Sequence, residues 1–548
     1  MIFQIIIISL QTGEFFLKQI NCLKRNIYND CRKAMAPAVI CYALNDILGA
    51  IIGVYTAVVL GKFADAVFNL DISYGIANFW TLILCLSITV FLIPIFRTLG
   101  EILMFSNSLK HDMLIIRRFF SKNCESVMKF DEGETQYRIE EVPNDFRISW
   151  VNQVVKASAI PFALIFLLYN AIRISWMYTI FVFALSATKV FVPLYFKNRQ
   201  AIYERQTAEY DMQVRIYETE LASKPYNIKL FGLSDFFIDR LQHCYKNYFK
   251  NILSKKIVSS TISDSISHII DTFSMLGIIL IGAIMVSNNK ISAGAIAEMA
   301  GFFWIINIIM TNIDFIIRNA PILNNLTDRL KSIYDDIEEN NGESVDSLKS
   351  ISVGKLSFSY GENSILNNVS FSIEVGDKAV ILGENGSGKT TLIKILCGLL
   401  RDYDGDIMIN NHELKTISPN SWRNQFAYVN QDPYIFHGSI KENIHIVNPK
   451  ATEDEVSTVM KELAIHHLSD RVISFNQNDL SGGEKQKISL ARALLKNTPV
   501  LFFDEPANNL DKESAIWLSN FIRESSKTIV FVSHDNMIID PTYNVVQL

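Results

Sequence analysis

The chain has 548 residues, a length that predicts at least two folding units. Its net charge of -5, with no clustering of Lys and Arg, argues against a nucleic-acid-binding protein. Its seven cysteines show neither CxxC pairs nor metal-ligand spacing, which excludes a structural zinc site and predicts reduced thiols. Hydrophobic residues make up 49% and are concentrated in the first 320 or so positions, so this half differs in class from the rest.

Six apolar stretches in the first half are long enough to cross a bilayer, which takes about 20 residues of helix. Because backbone polar groups in lipid need internal partners, each stretch is predicted to be helical. The six spans are 38–60, 77–99, 151–172, 174–196, 262–286 and 293–317. An all-α membrane domain is therefore expected over residues 1–335. The apolar residues 1–10 are too short to span and receive no assigned role.

Basic residues are concentrated before the first span and in the connections 100–150 and 197–261. The positive-inside rule places these three segments in the cytoplasm. Both connections are rich in helix formers and are predicted to extend their flanking helices beyond the bilayer. The alternative is that they are solvated loops, although ordered loops of that length are uncommon.

Several polar side chains fall inside the predicted spans. Such residues usually face a cavity or a partner and indicate a substrate path. Alternatively, residues near the ends of the spans lie at the membrane surface. The residues are Asn45, Asp46, Asp264, Asp271, Asn307 and Asn312.

After a polar linker, residues 336–348, short apolar runs alternate with helical stretches, which predicts a second domain of α/β class over 349–548. Within it, residues 383–390 match GxxxxGK[ST] between an apolar strand and a helix. In this motif, glycines let backbone N–H groups wrap phosphates, Lys389 reaches the β and γ phosphates, and the Thr390 hydroxyl completes a magnesium shell. The predicted ATP-binding residues are Gly383, Glu384, Asn385, Gly386, Ser387, Gly388, Lys389, Thr390 and Thr391.

The apolar run 500–503 ends in two carboxylates, Asp504 and Glu505. Asp504 is expected to hold magnesium through its waters, and Glu505 to polarise a water for in-line attack on the γ phosphate. A buried strand that merely ends in acidic residues is the alternative. The phosphate loop about 110 residues earlier makes that alternative implausible.

Between these motifs lies the sequence Leu480, Ser481, Gly482, Gly483, Glu484. It resembles the signature of ATP-binding cassette proteins, and this order of three motifs is specific to that family. The resemblance implies that Ser481 and the two glycines of one copy close over the nucleotide of a second copy. The partner is therefore expected to be a second molecule of the chain.

Further positions are similar to the family pattern one by one. Tyr360 corresponds to the aromatic residue that stacks on adenine, and Gln431 to the glutamine that contacts magnesium and senses the membrane half. The segment 508–511, which ends in Asp511, corresponds to the loop that crosses the dimer interface. His534 corresponds to the switch histidine that contacts the γ phosphate and orients Glu505. The segments 133–145 and 218–232 resemble the two cytoplasmic coupling segments.

Six spans followed by one cassette resemble an exporter half-transporter. This implies ATP-driven export across a bacterial plasma membrane, with ATP and Mg²⁺ bound at a cytoplasmic domain. A homodimer is preferred to a heterodimer because every phosphate-contacting position is intact. Two departures stand out: residues 472–479 lack the Gly-Glu-rich loop of many exporters, and Pro506 follows the acidic pair, a form seen in peptide and lantibiotic exporters.

A peptide or bacteriocin-like cargo is therefore predicted, carried through the lipid bilayer. Lipid or hydrophobic-drug translocation is the alternative cargo assignment. A membrane-anchored ATPase that regulates a partner without transport is the alternative of another class. A soluble cassette that works with separate membrane subunits is disfavoured because the spans are covalently attached.

Overall fold

A computed structural model describes residues 22–128, 130, 132–223, 225–335, 342–473, 480–535 and 537–548. The chain forms two compact units. The helical unit consists of Met1–Lys122 and Lys129–Ile337, and the α/β unit of Asn123–Met128 and Glu338–Leu548. Residues 1–10, residues 336–341 of the linker and most of the segment 472–479 lie outside the described residues.

Among the described residues, the helical unit contains six helices that are long and apolar enough to span a membrane, which confirms the predicted number of spans. They are Leu23–Phe68, Ile72–Phe120, Glu134–Ile174, Trp176–Ser223, Ser234–Ser287 and Ala293–Tyr334, hereafter membrane helices 1 to 6. The α-helical segments of the helical unit are α1 (Cys22–Phe68), α2 (Ile72–Ser87), α3 (Ile93–Phe120), α5 (Glu132–Gln136), α6 (Val142–Ile174), α7 (Trp176–Ala187), α8 (Phe191–Ser223), α9 (Pro225–Leu230), α10 (Ser234–Tyr248), α11 (Ser254–Ser287) and α12 (Ala293–Tyr334), of which α9 lies between membrane helices 4 and 5. Short π-helical or 3₁₀ turns join some of these segments, at Ile88–Leu92, Tyr137–Glu141, Thr188–Val190 and Phe249–Leu253.

Membrane helices 1 and 6 pack closely through small residues. A Cβ atom on Gly294 would lie 2.1 Å from the carbonyl oxygen of Gly61, so only glycine fits there. Asp65 fastens the same contact: its carboxylate accepts from the Gly294 amide at 2.6 Å and from the Ser292 hydroxyl at 2.8 Å. Small residues at helix crossings and polar side chains between helices are the usual means of packing in lipid.

The long connections continue as helix rather than as solvated loops, as α3 and α8 show by running to Phe120 and Ser223. The coupling role predicted for the first segment, 133–145, stays a prediction. Those residues belong to the helical unit, where Arg138 donates to the Ser332 hydroxyl at 2.5 Å. The part of this connection that joins the α/β unit is Asn123–Met128, which contains helix α4 (Cys124–Met128).

The second predicted coupling segment, 218–232, contains the short helix α9. Tyr226, Leu230 and Phe231 are exposed on and beside this helix. Its coupling role stays a prediction.

The α/β unit contains three sheets covered by helices. Its strands are β1 (Ser350–Tyr360), β2 (Asn363–Glu374), β3 (Lys378–Leu382), β4 (Asp404–Ile409), β5 (His412–Glu413), β6 (Phe426–Val429), β7 (Gly438–Ser439), β8 (Val472–Ile473), β9 (Val500–Asp504), β10 (Thr528–Val532) and β11 (Asn544–Gln547). Its further helices are α13 (Lys389–Leu396), α14 (Pro419–Gln425), α15 (Ile440–His445), α16 (Glu453–Glu462), α17 (Gly482–Lys496) and α18 (Lys512–Glu524), with a 3₁₀ turn at His466–Leu468.

A parallel sheet in the order β11-β3-β10-β9-β6 forms the centre of this unit. Strand β9 is buried along its whole length, because Phe502 packs into one core and Phe503 into the other, on the opposite face of the sheet. This explains its continuous apolar run, since a parallel strand covered on both faces has no solvent side. An antiparallel sheet, β2-β1-β4-β5, and the short pair β7-β8 complete the unit.

Candidate functional site

The register of the parallel sheet brings the predicted motifs to one edge. Val532 is paired with both Ile381 and Asp504, and Phe503 is paired with Val429. The four strands therefore end at the same level. The loops that follow them carry the phosphate loop, His534, Glu505 and Gln431, and this carboxyl edge is where open α/β sheets bind ligands.

The phosphate loop leads from β3 into α13. Gly386 and Gly388 have φ angles of +85° and +93°, a left-handed conformation that favours glycine. At Gly388 a Cβ atom would also lie 2.7 Å from the side chain of Ile365. Lys389 curls back, and its ammonium group donates to the carbonyls of Gly383 and Glu384 at 2.9 and 2.8 Å. The loop thus surrounds a cation at a helix N-terminus, an arrangement suited to phosphate.

The Asp504 side chain is buried, and none of the described groups donates a hydrogen bond of normal geometry to either of its carboxylate oxygens. Burial raises the pKa of Asp504, the neighbouring Glu505 carboxylate adds to the rise, and the nearby Thr390 hydroxyl opposes it. Two unpaired buried oxygens beside a hydroxyl fit a magnesium ion, which prefers oxygen ligands and uses few carboxylates. No cluster of three His, Cys, Asp or Glu side chains suited to a metal occurs in the described part of the chain.

Glu505 follows β9 in a left-handed conformation, with φ of +50°, which is uncommon for this residue type. The turn is held because its amide donates to the Val532 carbonyl at 3.0 Å. The Glu505 carboxylate is held from two sides: the Gln431 amide donates to it at 3.0 Å, and the Asn508 amide donates a second hydrogen bond. The strained turn and the two donors fix the direction of the proposed base.

Sequence reasoning placed Asn508 in the loop predicted to cross the dimer interface and gave it no contact with Glu505. Residues 508 and 509 are both asparagine, so the sequence alone does not show which of them contacts the Glu505 carboxylate.

The signature residues begin helix α17, with Ser481 as its N-cap. Ser481 and Glu484 form a reciprocal capping box, in which the Glu484 amide donates to the Ser481 hydroxyl at 3.3 Å and the Ser481 amide to the Glu484 carboxylate at 2.7 Å. A Cβ atom on Gly483 would lie 2.6 Å from the backbone oxygen of Asn509. Leu480 is buried in the core. No hydrogen bond or ion pair among the described residues joins the signature to the phosphate loop.

Asp511 lies at the start of α18 and caps it by accepting from the Ser514 amide at 2.8 Å. Lys487 of the signature helix donates to the same carboxylate at 2.7 Å, and this hydrogen bond holds the pKa of Asp511 well below its ordinary value. The loop predicted to cross a dimer interface is therefore fastened to the signature helix within one copy. Sequence reasoning gave Lys487 no role.

Tyr360 and His534 stand apart from these contacts. Tyr360 ends β1, is 48% exposed and makes an edge contact with Phe358, so its ring is accessible for stacking. His534 is exposed two residues after β10. None of the described hydrogen bonds joins it to Glu505, and its orienting role stays a prediction.

The polar residues of the spans divide into two groups. Asn45, Asp46 and Asn312 line a cavity of about 700 Å³ within the helical unit. The other three bind basic side chains: Lys189 bonds to Asp271 at 2.8 Å and Asn307 at 2.5 Å, and Arg318 bonds to Asp264 at 3.0 Å. Sequence reasoning also missed Lys156, which lies in the third span and lines the cavity.

Comparison with known proteins gives a family for the ATP-binding part. Residues 366–508 match the family model described as ABC transporter. A probable ABC transporter ATP-binding/permease protein of Haemophilus influenzae is 32% identical over 56% of this chain and 58% of that protein. The mesentericin-Y105 transport/processing ATP-binding protein MesD of Leuconostoc mesenteroides is 29% identical over 53% of this chain and 43% of its own length.

An ATP-dependent lipid A-core flippase of Desulfotalea psychrophila is 29% identical over 58% of this chain and 57% of that protein. The chain thus spans less than two thirds of the length of these curated relatives. A solved structure of a bacterial Atm1-family ABC exporter with ATP bound matches 92% of this chain and 93% of its own, with a TM-score of 0.78 at 19% identity. Residues 366–508 therefore match the ABC transporter family, the described residues include six helices long and apolar enough to span a membrane, and the fold is that of the Atm1-family exporter structure.

Proposed function

We propose that the chain hydrolyses ATP and uses the energy to export a substrate across a bacterial plasma membrane. The observation that carries this proposal is the Glu505 carboxylate, held by Gln431 and Asn508 at the same sheet edge as the phosphate loop. A carboxylate fixed in this way suits a group that must accept a proton from water in one direction. The same chain carries six helices that are long and apolar enough to span a membrane, so ATP hydrolysis can drive movement of a substrate across that membrane.

In this reaction Lys389 and the N-terminus of α13 bind the β and γ phosphates, and Tyr360 stacks on the adenine. Glu505 takes a proton from water as the water oxygen bonds to the γ phosphorus. The bond from that phosphorus to the leaving oxygen of ADP breaks, and inorganic phosphate forms. Thr390, Asp504 and Gln431 would hold a magnesium ion, which would neutralise charge at the phosphate oxygens.

The complete site needs a second copy of the chain. The Ser481 hydroxyl and amide lie at a helix N-terminus, where an anion binds favourably. Since they make no contact with the phosphate loop of their own copy among the described residues, the nucleotide facing them belongs to the partner. A homodimer has two equivalent sites of this kind, and Asp511 and His534 belong to its interface.

The cargo is proposed to be a peptide or bacteriocin-like product. Support comes from Pro506 after the acidic pair and from similarity to a protein named for mesentericin-Y105 transport. Lipid translocation is the second candidate, favoured by the relative named as a lipid flippase. A membrane-anchored ATPase without cargo would hydrolyse ATP in sealed vesicles with no gradient of any candidate.

The test replaces Glu505 by Gln in the purified chain reconstituted in vesicles. Loss of the proton acceptor is expected to lower ATP turnover by at least about 100-fold while nucleotide binding remains. The matched control is Glu524→Gln, which removes an exposed carboxylate on α18, outside the site. Persistent turnover and transport in the Glu505 variant would remove this residue from the role of base.

A further inference from the structure

The cavity in the helical unit is formed by membrane helices 1, 2, 3 and 6 and has a volume of about 700 Å³. Pockets that bind small molecules have volumes of roughly 300 to 1,000 Å³ and are mostly apolar with a few convergent polar groups. This cavity has that character: small and branched apolar side chains form most of its walls, and a few polar side chains join them.

Two of its polar side chains carry opposite charges that are not used elsewhere. The Lys156 ammonium group donates to the Asn312 side-chain oxygen at 3.1 Å and lies 5.0 Å from the ring centre of Phe315. The Asp46 carboxylate accepts from the Asn45 amide at 2.9 Å. Within the described part of the chain, no carboxylate pairs with Lys156 and no cation pairs with Asp46 at ion-pair distance. Charges inside a membrane domain are costly unless paired, which marks both as ligand-binding groups.

The charged groups lie at one end of the cavity. Along membrane helix 1 the lining residues after Asp46 are Gly49, Ala50, Gly53, Thr56, Ala57 and Leu60, with the spacing of one helix face. This stripe is apolar apart from Thr56, whose hydroxyl donates to the Ile52 carbonyl at 2.8 Å, and it extends roughly 21 Å from Asp46 at 1.5 Å per residue. Membrane helices 1 and 3 run in the same direction and helix 6 in the opposite one. Lys156 opens the lining stretch of helix 3 and Asn312 closes that of helix 6, which puts both at the Asp46 end.

A long apolar helix face with a pair of opposite charges at one end is complementary to an amphiphilic ligand. We propose that this cavity binds a hydrophobic peptide whose polar end carries both a carboxylate and an ammonium group. The carboxylate pairs with Lys156 and the ammonium group with Asp46, while apolar side chains lie along membrane helix 1. The assignment rests on the proposed export function and specifies the chemistry of its cargo. An anionic lipid fits less well, because its phosphate would approach Asp46 as well as Lys156.

The test measures binding of defined peptides to the full chain in phosphatidylglycerol nanodiscs without nucleotide. The probe is the N-acetylated peptide leucyl-leucyl-phenylalanyl-leucyl-lysine, which carries a carboxylate and an ammonium group at one end. Its carboxy-terminal amide lacks the carboxylate, and its norleucine analogue lacks the ammonium group. We expect each change to weaken binding to the wild-type chain about tenfold, the range of a partly desolvated charge pair.

Substitutions then assign each charge to its partner. In Lys156→Gln the free acid and the amide should bind equally, while the lysine peptide remains preferred to the norleucine one. In Asp46→Asn the pattern should reverse. Lys156→Arg, which keeps the charge, should keep the preference for the acid, and Lys290→Gln, which removes an exposed cation outside the cavity, should change neither preference.

Three outcomes would overturn the inference. The first is an unchanged preference for the acid in Lys156→Gln alongside normal elution as a folded protein. The second is equal binding of all three peptides to the wild-type chain. The third is loss of peptide binding when phosphatidylethanolamine replaces phosphatidylglycerol, because the phosphatidylethanolamine headgroup carries both a phosphate and an ammonium group and would then be the ligand of the cavity. None of these depends on ATP turnover, so the role of Glu505 is judged separately by its own variant.

Discussion

The hydrogen bond from Asn508 to the Glu505 carboxylate gives the most specific prediction about the chemistry. Replacing Asn508 by Ala leaves Gln431 as the remaining side-chain donor to that carboxylate. A hydrogen bond to a charged group contributes about 1.5 to 3 kcal/mol, and the exposure of Asn508 favours the lower value. If that energy positions the base, turnover should fall about tenfold, since each 1.4 kcal/mol is a factor of ten in rate.

The assay is steady-state ATP hydrolysis over a range of ATP concentrations. Because Asn508 contacts the base, kcat should fall while KM for ATP stays close to the wild-type value. Asn508→Ala should add nothing in a chain that already carries Glu505→Gln, because no carboxylate is left to position. Asn520→Ala is the matched control, because this half-buried asparagine on α18 accepts a hydrogen bond from Arg523 at 2.6 Å and lies outside the site. Full turnover in Asn508→Ala, or an additive loss in the double variant, would refute the reasoning.

Three further predictions concern other parts of the chain. Burial raises the pKa of Asp504 above its ordinary value of 3.8, so its protonated form favours folding and that stability is lost as pH rises through the raised pKa. In the absence of nucleotide, Asp504→Asn should therefore have a higher Tm than the wild type at pH 7, and this difference in Tm should disappear near pH 4. Mg²⁺ with ATP should raise the Tm of the variant less than that of the wild type. Gly483→Ala, whose Cβ would press on the Asn509 carbonyl, should lower both Tm and ATP turnover. Lys189→Gln and Asp271→Asn should each lower the Tm, and the double variant should lose less than the sum because neither charge is left unpaired.

The overall architecture could be predicted because it depends on local patterns. A membrane span is predicted by comparing the length of an apolar stretch with the thickness of the bilayer. The motif 383–390 predicts a phosphate-binding loop because a strand precedes it and a helix follows it. The continuous apolar run of β9 likewise predicts a central parallel strand. Each of these inferences depends only on residues that are close together in the sequence.

The remaining features depend on neighbours in space. The left-handed turn at Glu505 is fixed by pairing with Val532, and the sequence does not state which strands lie side by side. Lys156 could not be singled out from the sequence, because one charge hardly changes the hydropathy of a long span. Its place in the cavity is shown by its hydrogen bond to Asn312, which is distant in sequence. The sequence does not show that Asn123–Met128 belongs to the α/β unit, because this segment is too short to show a periodic pattern.

Binding of each nucleotide between two copies of the chain is tested most directly by mixing two inactive variants. Lys389→Ala disables the phosphate loop of its own copy, and Ser481→Ala disables the signature that the copy offers to its partner. In a mixed dimer both defects fall in one site, and the other site keeps an intact Lys389 and an intact Ser481. We predict that co-expressed variants, purified as mixed dimers through two different tags, recover ATP turnover that neither variant shows alone. Mixed dimers as inactive as the separate variants would contradict the shared site.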